Sequence, residues 1–232
     1  MKSLYLLINV FSFLIPLIFS FHPKLMFYKR WRSFIPAMLI SAVLFLVWDE
    51  YFTQIGVWGF NPKYLSGFYV LSLPVEELLF FISIPYACVF TYHCFSKFGI
   101  FNRNIRVEKM ISVLLVILLL ATAFFNLNLI YTSVTFISLS IFILYVQFVA
   151  KPIWLYRFYI TYLILIIPFF IVNGMLTGSG IEGEVVWYNE NEFLGIRLGT
   201  IPFEDIFYGM ELILLNVFLM HLFEKPKVIN LV

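Results

Sequence analysis

The sequence predicts an all-α integral membrane protein with seven transmembrane helices, arranged as two parallel three-helix repeats joined by a fourth helix. Three observations support this fold class. Of the 232 residues, 62% are hydrophobic and 12% are charged, which is about half the charge of an average soluble domain. Seven mostly apolar runs are each long enough to cross about 30 Å of hydrocarbon as a helix. Several motifs recur at one constant interval, the interval that separates Pro74 from Pro202.

The seven predicted spans are recognised by their apolar runs alone, because helices of a membrane bundle are apolar on all faces and periodicity adds little. The first run is as short as a secretory signal, but bulky residues stand where a small-residue cleavage site would be needed. We therefore expect it to be retained as a span. The runs cover residues 4–21, 34–53, 75–95, 110–126, 129–149, 154–173 and 203–223.

The internal repeat pairs the first three spans with the last three. Residues 1–100 are predicted to form the first repeat, residues 101–128 the linking helix, and residues 129–232 the second repeat. Each span and its counterpart are four spans apart and therefore point the same way. We expect a pseudo-two-fold axis along the membrane normal, with equivalent motifs at the same membrane face.

The distribution of lysine and arginine predicts the orientation. Of the 15 such residues, 12 fall in the loops after spans one, three and five or in the C-terminal tail, which holds Lys225 and Lys227. The positive-inside rule then places the N-terminus outside and the C-terminus in the cytoplasm of a multi-pass protein of the cell membrane. The net charge of +2 is too small to indicate a nucleic-acid partner.

Two features that resemble cofactor or metal signals are discounted. Residues 178–183 match the dinucleotide-binding pattern GxGxxG, but they follow a membrane span and do not lie between a strand and a helix. Cys88 and Cys94 lack a metal-like spacing and lie within one apolar run. We expect no cofactor, no metal and no disulfide.

Two acidic pairs, each at the start of a predicted span, are the candidate catalytic residues. Proline at the first helical position followed by an acid is ordinary helix-start chemistry, so one such pair would carry little meaning. Here the pair is repeated, and Asp49 and Glu50 end the second span. Crowded carboxyl groups at a dry boundary repel, so at least one is expected to hold a proton beside an ionised partner. The four acids are Glu76, Glu77, Glu204 and Asp205.

Aromatic and polar residues around these acids are the candidate substrate contacts, because ring faces stabilise cations. The two long loops that hold some of them either lie in the membrane interface as an aromatic belt or fold over the site as a lid. Glu211 lies on nearly the same helix face as Glu204 and about 10 Å deeper, where it extends a proton path or pairs with a polar group. The candidates are Trp48, Asp49, Trp58, Phe60, Asn61, Phe80, Phe81, Trp187, Tyr188, Phe207, Tyr208 and Glu211.

The Pro-x-Glu-Glu and Pro-x-Glu-Asp span starts, with Gly56-Val57-Trp58-Gly59-Phe60 before the first, resemble the lycopene cyclase domain family. The similarity covers nearly the whole chain. Two domains joined by an extra span are similar to the fused form of the heterodimeric bacterial and archaeal enzymes, without the phytoene synthase domain that fungi append. The second copy departs from the pattern at Asp205 and at Asn173-Gly174, which argues against equal roles for the two halves.

The resemblance implies a lycopene β-cyclase, an intramolecular lyase or isomerase of carotenoid biosynthesis. Such an enzyme converts the open ends of lycopene to β-ionone rings without redox change, giving γ-carotene and then β-carotene. An acid protonates the terminal olefin, the neighbouring double bond attacks the cation, and a base removes a ring proton. We expect Glu76 and Glu204 to form the acid/base centre, with Glu77 and Asp205 tuning or sharing the proton. The expected partners are lycopene or another acyclic carotenoid, the lipid bilayer, and other carotenoid-pathway enzymes.

A proton-coupled membrane transporter of a small or lipophilic substrate is the alternative, since intramembrane carboxyl groups and repeats also serve proton relays. Few polar residues lie in the other spans, which argues against it. A retinal protein would need a lysine in the middle of the last span, and a prenyltransferase would need an aspartate-rich motif for magnesium diphosphate. The sequence has neither.

Overall fold

The computed structural model describes residues 2–99 and 102–224, most of which are helical. The 3-10 turn Phe27–Arg30 precedes the second helix, and Pro62–Tyr64 forms another in the loop that follows. The fifth helix continues into the π-helical turn Tyr145–Ala150. The seven described α-helices are α1 (Leu4–Phe19), α2 (Trp31–Gln54), α3 (Val75–Phe98), α4 (Ile105–Phe125), α5 (Ile130–Leu144), α6 (Leu155–Leu176) and α7 (Phe203–Phe223).

Six helical segments of the described chain are long and apolar enough to cross a membrane. The exception is α1, an apolar helix of 16 residues, which is roughly 24 Å long at 1.5 Å per residue. The prediction of a helical membrane protein is therefore confirmed. The predicted boundary between the first repeat and the linking helix, at residues 100–101, lies outside the described residues.

The helix α4 begins five positions before the predicted span, which started at residue 110. Its polar first turn is helical because Oδ1 of Asn104 accepts a hydrogen bond from the N–H of Val107, 3.2 Å away, and so caps the helix. Apolarity marks the part of a helix that suits hydrocarbon, whereas capping marks where the helix begins. The predicted span was therefore shorter than the helix.

Six short strands lie in the two long loops, so the prediction of an all-α chain was wrong in this detail. Strands β1 (Trp58–Phe60) and β4 (Val186–Tyr188) form an antiparallel ribbon. Two hairpins pair β2 (Tyr69–Val70) with β3 (Leu73–Pro74) and β5 (Arg197–Leu198) with β6 (Ile201–Pro202). Strands of two or three residues are too short to leave an alternating pattern in a sequence.

The strands of the first loop recur in the second loop at the same interval as the acidic motifs, that from Pro74 to Pro202. In the β1–β4 ribbon, Gly59 pairs with Trp187, its equivalent in the second half of the chain. Equivalent residues face each other in this way when a two-fold axis relates them, because each surface then meets its own copy. The internal repeat predicted from the sequence is confirmed.

One end of the helix bundle, here called the acid end, holds both acidic motifs. The starts of α1 and α3 meet there, since the Tyr5 hydroxyl donates to Glu77, and the starts of α5 and α7 meet through Tyr131 and Asp205. Pro74 precedes α3 as its N-cap residue, and Pro202 precedes α7 in the same way, one position earlier than expected. Each proline also ends a strand, which its extended backbone allows.

Candidate active site

A cavity of about 350 Å³ begins at the acid end and continues along the bundle between α1, α3, α6 and α7. Three carboxyl groups line it, those of Asp49 at the end of α2, Glu77 at the start of α3 and Asp205 at the start of α7. On α3 the lining residues extend from Glu77 to Thr91, which is about 21 Å along a helix. Most of the wall is apolar, and the three carboxyl groups are confined to one end of the cavity.

Asp49 and Glu77 are the two acids that the first half of the chain contributes to the cavity. The Tyr5 hydroxyl donates to Oε2 of Glu77 over 2.6 Å. The indole Nε1 of Trp58 donates to Oδ1 of Asp49 over 2.5 Å, and no described residue donates to the buried Oδ2. Two carboxyl groups that share an apolar chamber do not both ionise readily, and an oxygen without a donor suits a carboxylic acid.

Asp205 has a different environment, because three side chains donate to it. The Tyr131 hydroxyl reaches Oδ1 over 2.6 Å, and Asn173 Nδ2 and the Tyr188 hydroxyl reach Oδ2 over 2.7 and 2.9 Å. Hydrogen bonds to a carboxylate are stronger than those to a neutral acid, so three donors stabilise the ionised form. The cavity thus holds two kinds of acidic group. The Asp49–Glu77 pair favours retention of a proton, whereas Asp205 is stabilised as an ionised carboxylate.

Glu76 and Glu204, the expected acid/base centre, are not among the residues that line this cavity. Both are fully buried, and each accepts a hydrogen bond from a backbone N–H ten positions earlier: Ser66 to Glu76 over 2.6 Å, and Leu194 to Glu204 over 2.9 Å. Thr132 also donates to Glu204, over 2.5 Å. Neighbouring residues of a helix point about 100° apart, so only one acid of each pair faces the cavity.

Comparison with known proteins agrees with this duplicated geometry. The lycopene cyclase family model matches residues 2–95 and again residues 128–223. The chain belongs to the lycopene cyclase family. The two matched segments contain one acidic pair each, and the family resemblance expected from the acidic motifs is confirmed.

A bifunctional lycopene cyclase/phytoene synthase of Aspergillus niger is 33% identical to the chain over 58 residues. The match covers 25% of this chain and 10% of that relative, so the chain corresponds to a small part of the relative's length. No solved structure matches the chain.

In this member of the lycopene cyclase family, the β1–β4 ribbon covers the acid end of the cavity. Trp58 and Phe60 of β1 and Tyr188 of β4 line the cavity. Trp187, which precedes Tyr188 on β4, points away from the cavity and is 42% exposed. Of the two alternatives for the long loops, the structure therefore supports a lid, with Trp187 on its outer side. Phe80 and Tyr208 complete the expected aromatic lining.

The other expected contacts of this lycopene cyclase family member lie outside the cavity lining. Each of them packs on, or bonds to, another residue of the protein. Of the two roles expected for Glu211, its hydrogen bond supports pairing with a polar group. Trp48 packs on Tyr208, Phe81 on Phe45 and Phe207 on Phe136, while Asn61 donates to the carbonyl of Glu184 and Glu211 accepts from Ser138 over 2.8 Å.

Sequence reasoning missed Tyr5 and Tyr131, the donors to Glu77 and Asp205. Each is the second residue of the first helix of its half. Their separation is two positions shorter than the interval from Pro74 to Pro202, so a comparison at that interval sets Tyr5 against Ser133 and hides the match. A tyrosine directly inside the first span of both halves is the signal that would have found them.

Proposed function

We propose that the protein is a carotenoid cyclase, and specifically a lycopene β-cyclase that converts the acyclic ends of lycopene to β-ionone rings. It forms γ-carotene first and then β-carotene, as an intramolecular lyase or isomerase. The observation that carries the proposal is the meeting of Asp49, Glu77 and Asp205 from both halves of the chain at one end of an apolar cavity. The apolar walls suit a hydrocarbon substrate, and the three carboxyl groups at one end suit an acid-catalysed reaction.

The proton comes from the Asp49–Glu77 pair. One carboxyl group of the pair donates its proton to the terminal double bond of the substrate, which leaves a tertiary cation. The neighbouring double bond then supplies its electron pair to that cation, closing a six-membered ring and moving the positive charge to a ring carbon. Asp49 is the better donor of the two, because its Oδ2 has no hydrogen-bond donor among the described residues and so accommodates a proton.

Asp205 is the base. The carboxylate that Tyr131, Asn173 and Tyr188 stabilise removes a proton from the ring, and the electrons of that C–H bond form the ring double bond. One proton enters the substrate and one leaves it, so the conversion is an isomerisation without redox change. The proton then returns from Asp205 to the Asp49–Glu77 pair before the next turnover.

The aromatic lining protects the cationic intermediate. The rings of Trp58, Phe80 and Tyr208 all border the cavity near the acids, where their faces stabilise positive charge. The β1–β4 ribbon covers the same end and limits access of water, which would trap the cation as an alcohol. Both effects favour the cationic intermediate, because the rings stabilise its charge and the exclusion of water prevents its capture.

Glu76 and Glu204 act as positioning residues. Each holds the backbone of the loop before its helix, Glu76 at Ser66 and Glu204 at Leu194. Those loops lead into the hairpins that enter α3 and α7, the helices that present Glu77 and Asp205. Glu76 and Glu204 thus orient Glu77 and Asp205.

The seven-span architecture belongs to the same proposal. Helices α1 to α3 and α5 to α7 form two parallel repeats, α4 joins them, and α1 is a short span. The domain limits are residues 1–100, 101–128 and 129–232. The chain lies in the cell membrane with its N-terminus and the acid end outside and its C-terminus in the cytoplasm; Lys225 and Lys227, which support this orientation, lie outside the described residues. Association with other carotenoid-pathway enzymes stays a prediction.

Expression in a lycopene-producing bacterium tests the function. Pigment analysis should find the red acyclic carotenoid replaced first by a monocyclic and then by a bicyclic product. The membrane fraction must contain the protein, which immunodetection of a tag establishes. Unchanged lycopene in cells whose membranes hold the full-length protein would contradict the proposal.

A further inference from the structure

The cavity lies on one side of the pseudo-two-fold axis only. The two halves offer equivalent interfaces: α6 meets α3, and α2 meets α7. On the second of these, α2 packs along α7 far more extensively than α6 packs along α3. The Phe45 ring of α2, for example, lies 5.1 Å from the Tyr208 ring of α7. The cavity follows the looser interface between α3 and α6.

A second pair of equivalent interfaces differs in the same way, since α2 packs along α3 more extensively than α6 packs along α7. One pair of equivalent positions marks this second difference. Phe81 of α3 and Gly209 of α7 are related by the same interval that separates Pro74 from Pro202. Phe81 is 1% exposed, and its ring lies 6.1 Å from that of Phe45, so it fills the interface between α2 and α3. Gly209 lines the cavity, where an added Cβ would lie 3.2 Å from the Tyr162 hydroxyl and 3.7 Å from the Phe169 ring. A side chain at position 209 would therefore occupy the cavity.

The same cavity reaches the lipid-facing surface between α1 and α6. Phe11 and Ile15 of α1 line the cavity and are 61% and 59% exposed. Pro168 of α6 also lines it and is exposed on the opposite side of the gap. Exposed apolar side chains on helices of this kind contact acyl chains in a bilayer. A continuous apolar path thus leads from the hydrocarbon of the membrane to the three acids.

We propose that this lateral channel, kept open by Gly209, admits the linear hydrocarbon chain of the substrate from the bilayer one end at a time. The identity of that chain rests on the proposed function, whereas the channel itself rests on Gly209, Phe81 and the gap between α1 and α6. Because α2 packs closely along α7 and Phe81 fills the interface between α2 and α3, the other half has no equivalent channel among the described residues, and one channel serves both ends of a symmetric substrate. The substrate must withdraw after the first ring forms and return with its other end.

A photoreactive probe tests the channel without relying on turnover. The probe is a linear isoprenoid hydrocarbon with a terminal diazirine, added to vesicles that contain the purified protein and then illuminated. Mass spectrometry should locate crosslinks on Ala87 and Cys88, which line the channel on α3. Gly209→Phe fills the channel with a ring and should reduce those crosslinks at least about tenfold, which corresponds to about 1.4 kcal/mol of binding free energy.

Three variants keep the test decisive. Gly209→Leu serves if Gly209→Phe fails to insert, and Phe169→Ala in the Gly209→Leu background should restore the crosslinks by returning space to the channel. Ala121→Phe adds the same ring to the exposed face of α4, outside the cavity, and should leave them unchanged. Crosslinks confined to lipid-facing residues of the wild-type protein, or unaffected by both Gly209 variants, would overturn the channel.

The pigment assay separates this inference from the proposed function. If the wild-type protein cyclises lycopene and Gly209→Phe does so equally well, the channel is wrong and the cyclase stands. If the channel crosslinks appear as expected but lycopene is never cyclised, the channel stands and the cyclase is wrong.

Discussion

The Tyr5 hydroxyl donates a hydrogen bond of 2.6 Å to Oε2 of Glu77, 72 residues away in the sequence. Tyr131 and Asp205 repeat this relationship in the second half of the chain, again over 2.6 Å. In each half, the first helix thus supplies a tyrosine that orients the acid facing the cavity. The repeat is therefore visible in the tyrosine–acid hydrogen bonds of the site as well as in the sequence motifs.

Replacement of either tyrosine should lower the rate of cyclisation while the protein still inserts in the membrane. In Tyr5→Phe the carboxyl group of Glu77, which faces the cavity, loses the hydrogen bond that Tyr5 donates. A hydrogen bond to a charged group contributes about 1.5–3 kcal/mol, so a fall of roughly ten- to a hundredfold in kcat is expected. Tyr131→Phe should behave alike toward Asp205. Assays of purified protein in vesicles measure this. Tyr145→Phe, at an exposed tyrosine of the π-helical turn, is the matched control; equal loss in it would contradict the assignment.

The two acids of each pair should respond differently to neutralisation. Glu77→Gln and Asp205→Asn remove groups that face the cavity and should lower product formation by orders of magnitude, as expected for loss of a general acid or base. Glu76→Gln and Glu204→Gln keep an oxygen that accepts the loop N–H and should retain activity within about tenfold. Pigment yield per inserted protein is the measurement. The opposite order would return the chemistry to Glu76 and Glu204.

Asp49 and its neighbour Glu50 offer a sharp comparison of one residue against the next. Asp49→Asn keeps the hydrogen bond from Trp58 but has no proton to give, so activity should fall at least about a hundredfold. Glu50 lies outside the cavity lining and binds Ser72 and Gln54. Glu50→Gln should therefore remain active. Carotenoid retained by the purified Asp49→Asn protein should match the wild type; a loss of retention would indicate a binding role instead.

A stability test addresses the opposite end of the bundle. Glu108 of α4 is buried and accepts hydrogen bonds from Arg103 over 2.8 and 2.9 Å. Arg103→Leu leaves that carboxylate with fewer partners and should lower the free energy of unfolding by about 2 kcal/mol, below the value for a fully buried pair because the Arg103 side chain is 30% exposed. Thermal unfolding in detergent checks this. Arg106→Leu, at an exposed site one turn away, should be neutral.

Much of the fold was predictable because the bilayer imposes simple rules. Long apolar runs indicate helices whatever their neighbours, and the Pro-x-acid motifs at residues 74–77 and 202–205 reveal the repeat. The helical phase was not predictable. Whether Glu76 or Glu77 faces a cavity depends on how α3 is rotated against α1 and α6, and no local pattern records that rotation.

Two further features escaped prediction for related reasons. The short strands β1 and β4 form because the two loops meet and pair with each other, a contact that neither loop encodes alone. The contrast between Phe81 and Gly209 is visible in the sequence, but its meaning depends on Phe45 and Phe169 of the helices opposite. Long-range packing therefore decides which half of a repeated sequence holds the cavity.

Transfer of a proton from a protein carboxyl group to the hydrocarbon is the central claim, and cyclisation in heavy water measures it most directly. Exchangeable carboxyl protons become deuterons, so each ring formed should carry one deuterium on the carbon protonated in the first step. Mass spectrometry of the wild-type product should show one added mass unit in the monocyclic carotenoid and two in the bicyclic one. Asp49→Asn and Glu77→Gln should yield little labelled product. A cyclised carotenoid that carries no deuterium would contradict the account.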